Sequence, residues 1–128
     1  MSMPRLPRGQ AVADLLGDHT DLLIVTGLGN AANDVAALTN QGDHVFAMDG
    51  AMGAAVSVGL GLALAQPGRR VVVVTGDGEL LMNLGALATV AVQRPVNLTV
   101  VCLDNGVYGL TGGQRTHTAY GVDLEAVA

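Results

Sequence analysis

The sequence predicts an α/β domain, a parallel sheet with helices on both faces, and three observations carry that expectation. Two apolar runs, residues 71–74 (four valines) and Leu98–Leu103, have the unbroken character of strands buried on both faces. Between them Leu80, Leu81, Leu84, Leu87, Ala88 and Ala91 recur at helical spacing. Strand and helix alternate along most of the chain, an order that implies crossover connections and parallel pairing.

In order, residues 11–16 read as a short opening helix, with Arg5 and Arg8 solvated ahead of it. Leu22–Thr26 is an apolar strand ending at Gly27-Leu28-Gly29-Asn30, and Asn30 is placed to cap a helix through Leu38. Residues 44–48 form a brief strand closed by Asp49-Gly50. A small-residue helix over 53–65 stops at Pro67-Gly68. The strand at 71–75 leads to a helix over 79–93, ended by Pro95, and 96–103 forms the next buried strand. The tail from Leu110 is polar until Asp123 caps a helix that has hardly begun, so the single domain, residues 1–128, reads as short at its C-terminus.

Composition narrows the class. Half the residues are hydrophobic, yet there are one Phe, two Tyr and no Trp, so the core must be built from Val, Leu and Ala. Only 13% of residues are charged, which suggests that partner subunits cover much of the surface in a homo- or hetero-oligomer. A net charge of −5 argues against a nucleic-acid footprint. The lone Cys102 reads as a small buried hydrophobe, and one cysteine permits no internal disulfide, which fits a reducing compartment. Residues 1–10 lack the apolar stretch of a signal peptide. The low-polarity stretch 51–65 falls short of the ~20 residues a membrane span needs. The expectation is a cytoplasmic protein with no membrane contact.

In open parallel sheets, ligands bind beyond the carboxyl ends of the strands. Four clusters fall there: residues 27–30, 49–53, 76–78 and 104–109. Gly76-Asp77-Gly78 turns sharply and projects one carboxylate, while the helix that follows offers free amides to an anion. Asn105 adds an amide oxygen; residues 79–104, 26 in all, separate it from Gly78. One carboxylate, one amide oxygen, a main-chain carbonyl and two phosphate oxygens suit Mg²⁺ holding a diphosphate. As single turn residues, Asp77 and Asn105 would signify little; paired at two strand ends they point to one site. A rival reading stays open. Gly27-Leu28-Gly29-Asn30-Ala31-Ala32 fits a dinucleotide fingerprint, with Asp49 at about the distance for a ribose contact, as in a NAD-binding dehydrogenase module.

Gly76-Asp77-Gly78 with Asn105 closely resembles the motif of the thiamine diphosphate-dependent enzymes, and Tyr108-Gly109 extends the likeness to the decarboxylases of that family. The resemblance implies the diphosphate-binding domain of the thiamine diphosphate fold, with thiamine diphosphate and Mg²⁺ as cofactors. By it Asp77, Asn105 and the Val107 carbonyl are metal ligands. Gly76, Gly78, Glu79 and Tyr108 are cofactor-binding, Gly50 accepts from the aminopyrimidine, and Met52 wedges beneath the bent cofactor. Gly27, Gly29 and Asn30 would meet the diphosphate. Glu79 departs from the family, which usually has a small residue there, so its carboxylate should turn away and leave only its amide for the ligand.

Residues 80–85, 103–108 and Thr111-Gly112-Gly113-Gln114 are similar to the diphosphate-binding half of the decarboxylases acting on sulfopyruvate and phosphonopyruvate. The activating glutamate in such enzymes comes from a pyrimidine-binding domain, so an α-type partner subunit is implied, with a small 2-oxo acid as substrate. Gln114, Arg115 and His117 are candidates for the substrate anion, although Arg115 and His117 also read as solvated loop residues, and His19 and His44 have no visible partners. A carboligase of the same cofactor and a noncatalytic partner subunit remain alternatives.

Overall fold

The computed structural model describes residues 5–128; the first four residues of the amino-terminal stretch lie outside it. Four parallel strands form the sheet: β1 (Leu22–Thr26), β2 (Val45–Ala47), β3 (Arg70–Gly76) and β4 (Leu98–Leu103), in the order β2-β1-β3-β4. The chain leaves β1 for one side of the sheet and later returns to the other. The strand order therefore reverses between β1 and β3, the place where such sheets open a crevice.

The helices are α1 (Arg8–Leu16), α2 (Asn30–Thr39), α3 (Ala55–Ala65), α4 (Asp77–Leu81), α5 (Gly85–Gln93) and α6 (Leu124–Val127). Alternation along the strands assigns them to faces. Ile24 and Val74 point to one layer, where Val12 and Leu16 of α1 and Ala31 and Val35 of α2 pack. Val25 and Val73 point to the other, against Ala55 and Val56 of α3, Leu80, Ala86 and Leu124. Both faces are thus covered, as the valine runs require.

Several expectations are corrected in detail. The opening helix begins at Arg8, whose guanidinium hydrogen-bonds and ion-pairs with Asp34 of α2 and is not simply solvated. Asn30 is the first residue of α2 and makes no capping bond; Gly29, at φ +99°, occupies the cap. The helix expected over 79–93 is two helices. Met82, Asn83 and Leu84 form a turn between them, where the Asn83 side chain donates to the Gly53 carbonyl at 3.1 Å. β4 is an edge strand, so it is half-buried along most of its length and exposed at Thr99. His19 and His44 do have partners: each other. Their rings are parallel within 2°, and His19 Nδ1 lies 3.0 Å from His44 Nε2. Parallel planes that close cannot be a face-to-face stack, which needs ~3.5 Å, so the contact is an in-plane hydrogen bond joining the entries to β1 and β2.

The tail is more ordered than its polarity suggested. Gln114–Arg115 (β6) pairs antiparallel with Val107–Tyr108 (β5), and a 3₁₀ turn follows at His117–Tyr120. Asp123 caps α6, accepting from the Ala126 N–H at 3.0 Å, as expected.

Gly59 shows how tightly α3 lies on the sheet. A Cβ there would come within 2.2 Å of Val73 Cγ2, on a β-branched side chain with no exposure. Gly59→Ala should destabilise the fold by roughly 1–3 kcal/mol through overpacking. In a Val73→Ala background the cost should shrink, a coupling that denaturant titration of the double-mutant cycle would measure.

Candidate functional site

A cavity of about 810 Å³ opens at the carboxyl edge of the sheet. Pairing fixes its geometry. In the β3–β4 register Gly76 lies opposite Leu103, so Asp77 and Asp104 leave neighbouring strands side by side, with Asn105 one residue further. Of the residues expected from sequence, Asp77, Asn105 and Val107 all line the cavity, as do Gly76, Gly78, Glu79 and Tyr108. Gly29, Asn30, Met52 and Gln114 complete that set.

Asp77 is the centre of the site. It is 2% exposed, and one carboxylate oxygen, Oδ2, accepts from Thr116 Oγ1 at 2.5 Å and from Thr118 Oγ1 at 3.1 Å. The only ion pair among the described residues is Arg8–Asp34, so no basic side chain neutralises Asp77. Asn105 is exposed, and its Oδ1 accepts from the Val107 N–H at 3.0 Å, which leaves that oxygen a second lone pair. The hydrogen bonds on either side of Val107 use the carbonyls of Gly106 and Tyr108.

The electrostatics are one-sided. Burial and then the charges of Asp77, Asp104 and Glu79 push the Cys102 thiol up to about 12. Among the described residues no three His, Cys, Asp or Glu side chains converge as a self-sufficient metal site. The donors are therefore one buried carboxylate, an amide oxygen and backbone, a set that fits Mg²⁺ completed by phosphate oxygens and water.

Glu79 is 4% exposed, and its carboxylate turns to the β1–α2 loop, accepting from the Leu28 N–H at 2.8 Å and from Thr75 Oγ1 at 3.1 Å. Gly27 makes room for it: a Cβ there would stand 1.8 Å from Glu79 Oε2. This bears on the dinucleotide fingerprint. The amide that would hold a pyrophosphate is taken by a carboxylate, and neither Gly27 nor Asp49 lines the cavity. The helix after Gly76 is shorter than expected, five residues, so its dipole contributes little and the local amides carry any anion contact.

Other expected residues fall elsewhere. Gly50, at φ +80°, has open space around it and does not line the cavity. Arg115 lies over the Tyr120 ring, 4.4 Å from its centroid, and donates to the Ala119 carbonyl at 2.7 Å, which turns it from the cavity. His117, the first residue of the 3₁₀ turn, is exposed and does not line the cavity. Gln114 lines the cavity with its amide bonded to Thr111. The basic groups that do line it are Arg5 and Arg8. Sequence reasoning missed these two, Asp104 as a site residue, and Thr116 and Thr118; the Thr-x-Thr spacing was visible, but its approach to Asp77 is a tertiary event.

Residues 26–127 match the family described as thiamine pyrophosphate enzyme, C-terminal TPP binding domain. The chain belongs to this family. It is 47% identical over 123 residues to sulfopyruvate decarboxylase subunit beta of Methanothermobacter thermautotrophicus, covering 96% of this chain and 65% of the relative. It is 51% identical to phosphonopyruvate decarboxylase of Streptomyces viridochromogenes, covering 99% of this chain and 32% of the relative. A solved structure of 2-oxoglutarate:ferredoxin oxidoreductase from Magnetococcus marinus, with 2-oxoglutarate, coenzyme A and succinyl-CoA bound, aligns with a TM-score of 0.62 at 28% identity. That alignment covers 91% of this chain and 42% of the other. The chain spans between about a third and two thirds of the length of these relatives. Among the described residues, no helix is long and apolar enough to cross a membrane.

Two measurements probe the geometry directly. Cys102, with its thiol held near 12, should react with a maleimide at pH 8 on the order of a hundredfold or more slower than in the unfolded chain, since the thiolate is the nucleophile. Gly78→Ala should displace the Tyr108 ring, because a Cβ would come within 2.3 Å of Tyr108 Cε1. A changed Tyr108 ring environment in NMR would register the shift, and an unchanged one would show that the contact yields elsewhere.

Proposed function

We propose that this chain is the diphosphate- and Mg²⁺-binding part of a thiamine diphosphate-dependent 2-oxo acid decarboxylase. Its substrate is sulfopyruvate or phosphonopyruvate, converted to the aldehyde and carbon dioxide. The observation that carries the reading is Asp77, a buried carboxylate without a basic partner among the described residues, set one residue beyond the β3–β4 pairing and beside Asn105 in a shared cavity. Family membership and the names of the relatives support the cofactor and the substrate class.

In this reading Asp77 Oδ1, Asn105 Oδ1 and the Val107 carbonyl hold the cation, and the cation holds the diphosphate. Amides at the start of α4 and in the 27–30 loop contact the phosphates where they are free. Met52, 37% exposed and lining the cavity, supports the cofactor from below. Thiamine diphosphate, when bound, supplies the electron sink for the pair left by departing carbon dioxide. Among the described residues the other carboxylates of the cavity are engaged within the chain, Glu79 with Leu28 and Thr75 and Asp104 with Gly106 and Thr118, so none of them is assigned as the group that activates the pyrimidine. That group comes from a pyrimidine-binding domain on a partner chain, in keeping with relatives named subunit beta.

The second anionic group of the substrate needs a cation. Arg5 lines the cavity, and Arg8 is already paired with Asp34, so Arg5 replaces Arg115 and His117 in that role. A cytoplasmic location belongs to the same proposal.

Two experiments test it on the protein assembled with its partner chain. Thiamine diphosphate with Mg²⁺ should raise the Tm, NAD should not, and Asp77→Ala should abolish the Mg²⁺-dependent shift; a shift with NAD alone would overturn the reading. Arg5→Ala should raise KM for sulfopyruvate or phosphonopyruvate about tenfold, the loss of one charge-assisted hydrogen bond of roughly 1.5 kcal/mol, with little change for pyruvate.

A further inference from the structure

Asp77 and Asn105 can serve one cation only if the ends of β3 and β4 keep a fixed relation. Backbone pairing stops at Gly76 and Leu103, so beyond that point something else must hold them. The described contacts there come from the 3₁₀ turn. Thr116, 1% exposed, donates its hydroxyl to Asp77 Oδ2 at 2.5 Å. Thr118 Oγ1 lies 3.1 Å from the same oxygen, 2.7 Å from Asp104 Oδ1 and 2.9 Å from Thr116 Oγ1. The single Thr118 proton serves one of these carboxylates at a time, so Thr118 couples the residue after β3 to the residue after β4 as a shared donor. Asp104 Oδ1 also accepts from the Gly106 N–H at 3.0 Å, which passes the restraint to the turn that carries Asn105 and Val107.

The arrangement has a consequence for the metal. Both hydroxyls converge on Oδ2, and Oδ1 is the Asp77 oxygen without a hydrogen bond among the described residues. A carboxylate held in this way would offer a cation one free oxygen. Mg²⁺ accepts that in a tight octahedral shell, whereas Ca²⁺ takes more oxygens, often from bidentate carboxylates. We propose that Thr116 and Thr118 are positioning residues that clamp Asp77 as a one-oxygen ligand, couple it to the Asn105 turn, and so set a preference for Mg²⁺ over Ca²⁺. This rests on the reading of the cavity as a thiamine diphosphate site.

The test uses the protein assembled with its partner chain and measures thiamine diphosphate binding by calorimetry across Mg²⁺ and Ca²⁺ concentrations. Thr118→Val keeps the shape of the side chain and removes the shared donor; half-saturating Mg²⁺ should rise at least tenfold while that for Ca²⁺ changes less, so the ratio between the metals narrows. Thr118→Ser, which restores the hydroxyl, should stay within about threefold of the unsubstituted protein. Thr116→Val and Thr116→Ser should behave in the same pairwise way, and the Tm without ligands checks that each variant folds. An unchanged metal ratio in both valine variants, or an equal loss for both metals, would overturn the clamp while leaving the cofactor site intact. Absence of any metal-dependent binding in the unsubstituted protein would overturn the reading beneath and the clamp with it.

Discussion

The register between β3 and β4 is the constraint on which the site depends. Val71 pairs with Leu98 and Gly76 with Leu103, and the whole ladder is held by valines whose alternate side chains enter opposite cores. A slip of one residue would turn every β4 side chain to the other face. It would also change which residue after β4 stands beside Asp77. Since β4 is an edge strand, its register is fixed from one side only, by Val73 and Val74 and by the packing of Leu98, Val100 and Cys102 against the α3–α5 layer. Core packing and metal chemistry are therefore one problem in this molecule, solved by the same six residues of strand.

Close-packed glycine serves the same end on the other side of the cavity. Gly27 admits the Glu79 carboxylate under the β1–α2 loop, and Glu79 in turn ties that loop to the start of α4 through Leu28 and Thr75. A buried carboxylate is costly unless its lone pairs are used, and here an amide and a hydroxyl use them. The residue that departs from the family pattern thus acts as a structural staple. After burial, and with Asp77 and Asp104, its charge also pushes the Cys102 thiol up.

Much of the fold was legible in the sequence because the core-forming signals are strong. β1 is found at its expected limits, and the valine run of β3 is off by a residue at each end. The pairing of Asp77 with Asn105 was legible for the same reason: strand ends on neighbouring parallel strands are neighbours in space. What could not be read depends on contacts without periodicity. The apolar spacing over 79–93 continues through Met82–Leu84, so only the bond from Asn83 to Gly53 betrays the break into two helices. Arg115 looked like an anion ligand because it lies just beyond the metal loop, but Tyr120 offers its ring and Ala119 its carbonyl in the turn that follows. His19 and His44 stand 25 residues apart, and their bond exists only once β1 and β2 pair.

The polar tail explains why the site needs more than its two ligands. Residues beyond Leu110 contribute little apolar burial, with Leu124 as their buried anchor in the core. Their order comes instead from directional bonds: Thr116 N–H to the Gly106 carbonyl, Thr116 and Thr118 hydroxyls to Asp77, and Thr118 to Asp104. Two hydroxyl protons are shared among two carboxylates, a network short of positive charge. Such networks gain most when a cation arrives, because the low local dielectric strengthens every bond made and penalises every one missing. The tail and the metal ligands therefore stabilise one another, and the rigidity needed to grip a diphosphate is completed by the ion that holds it.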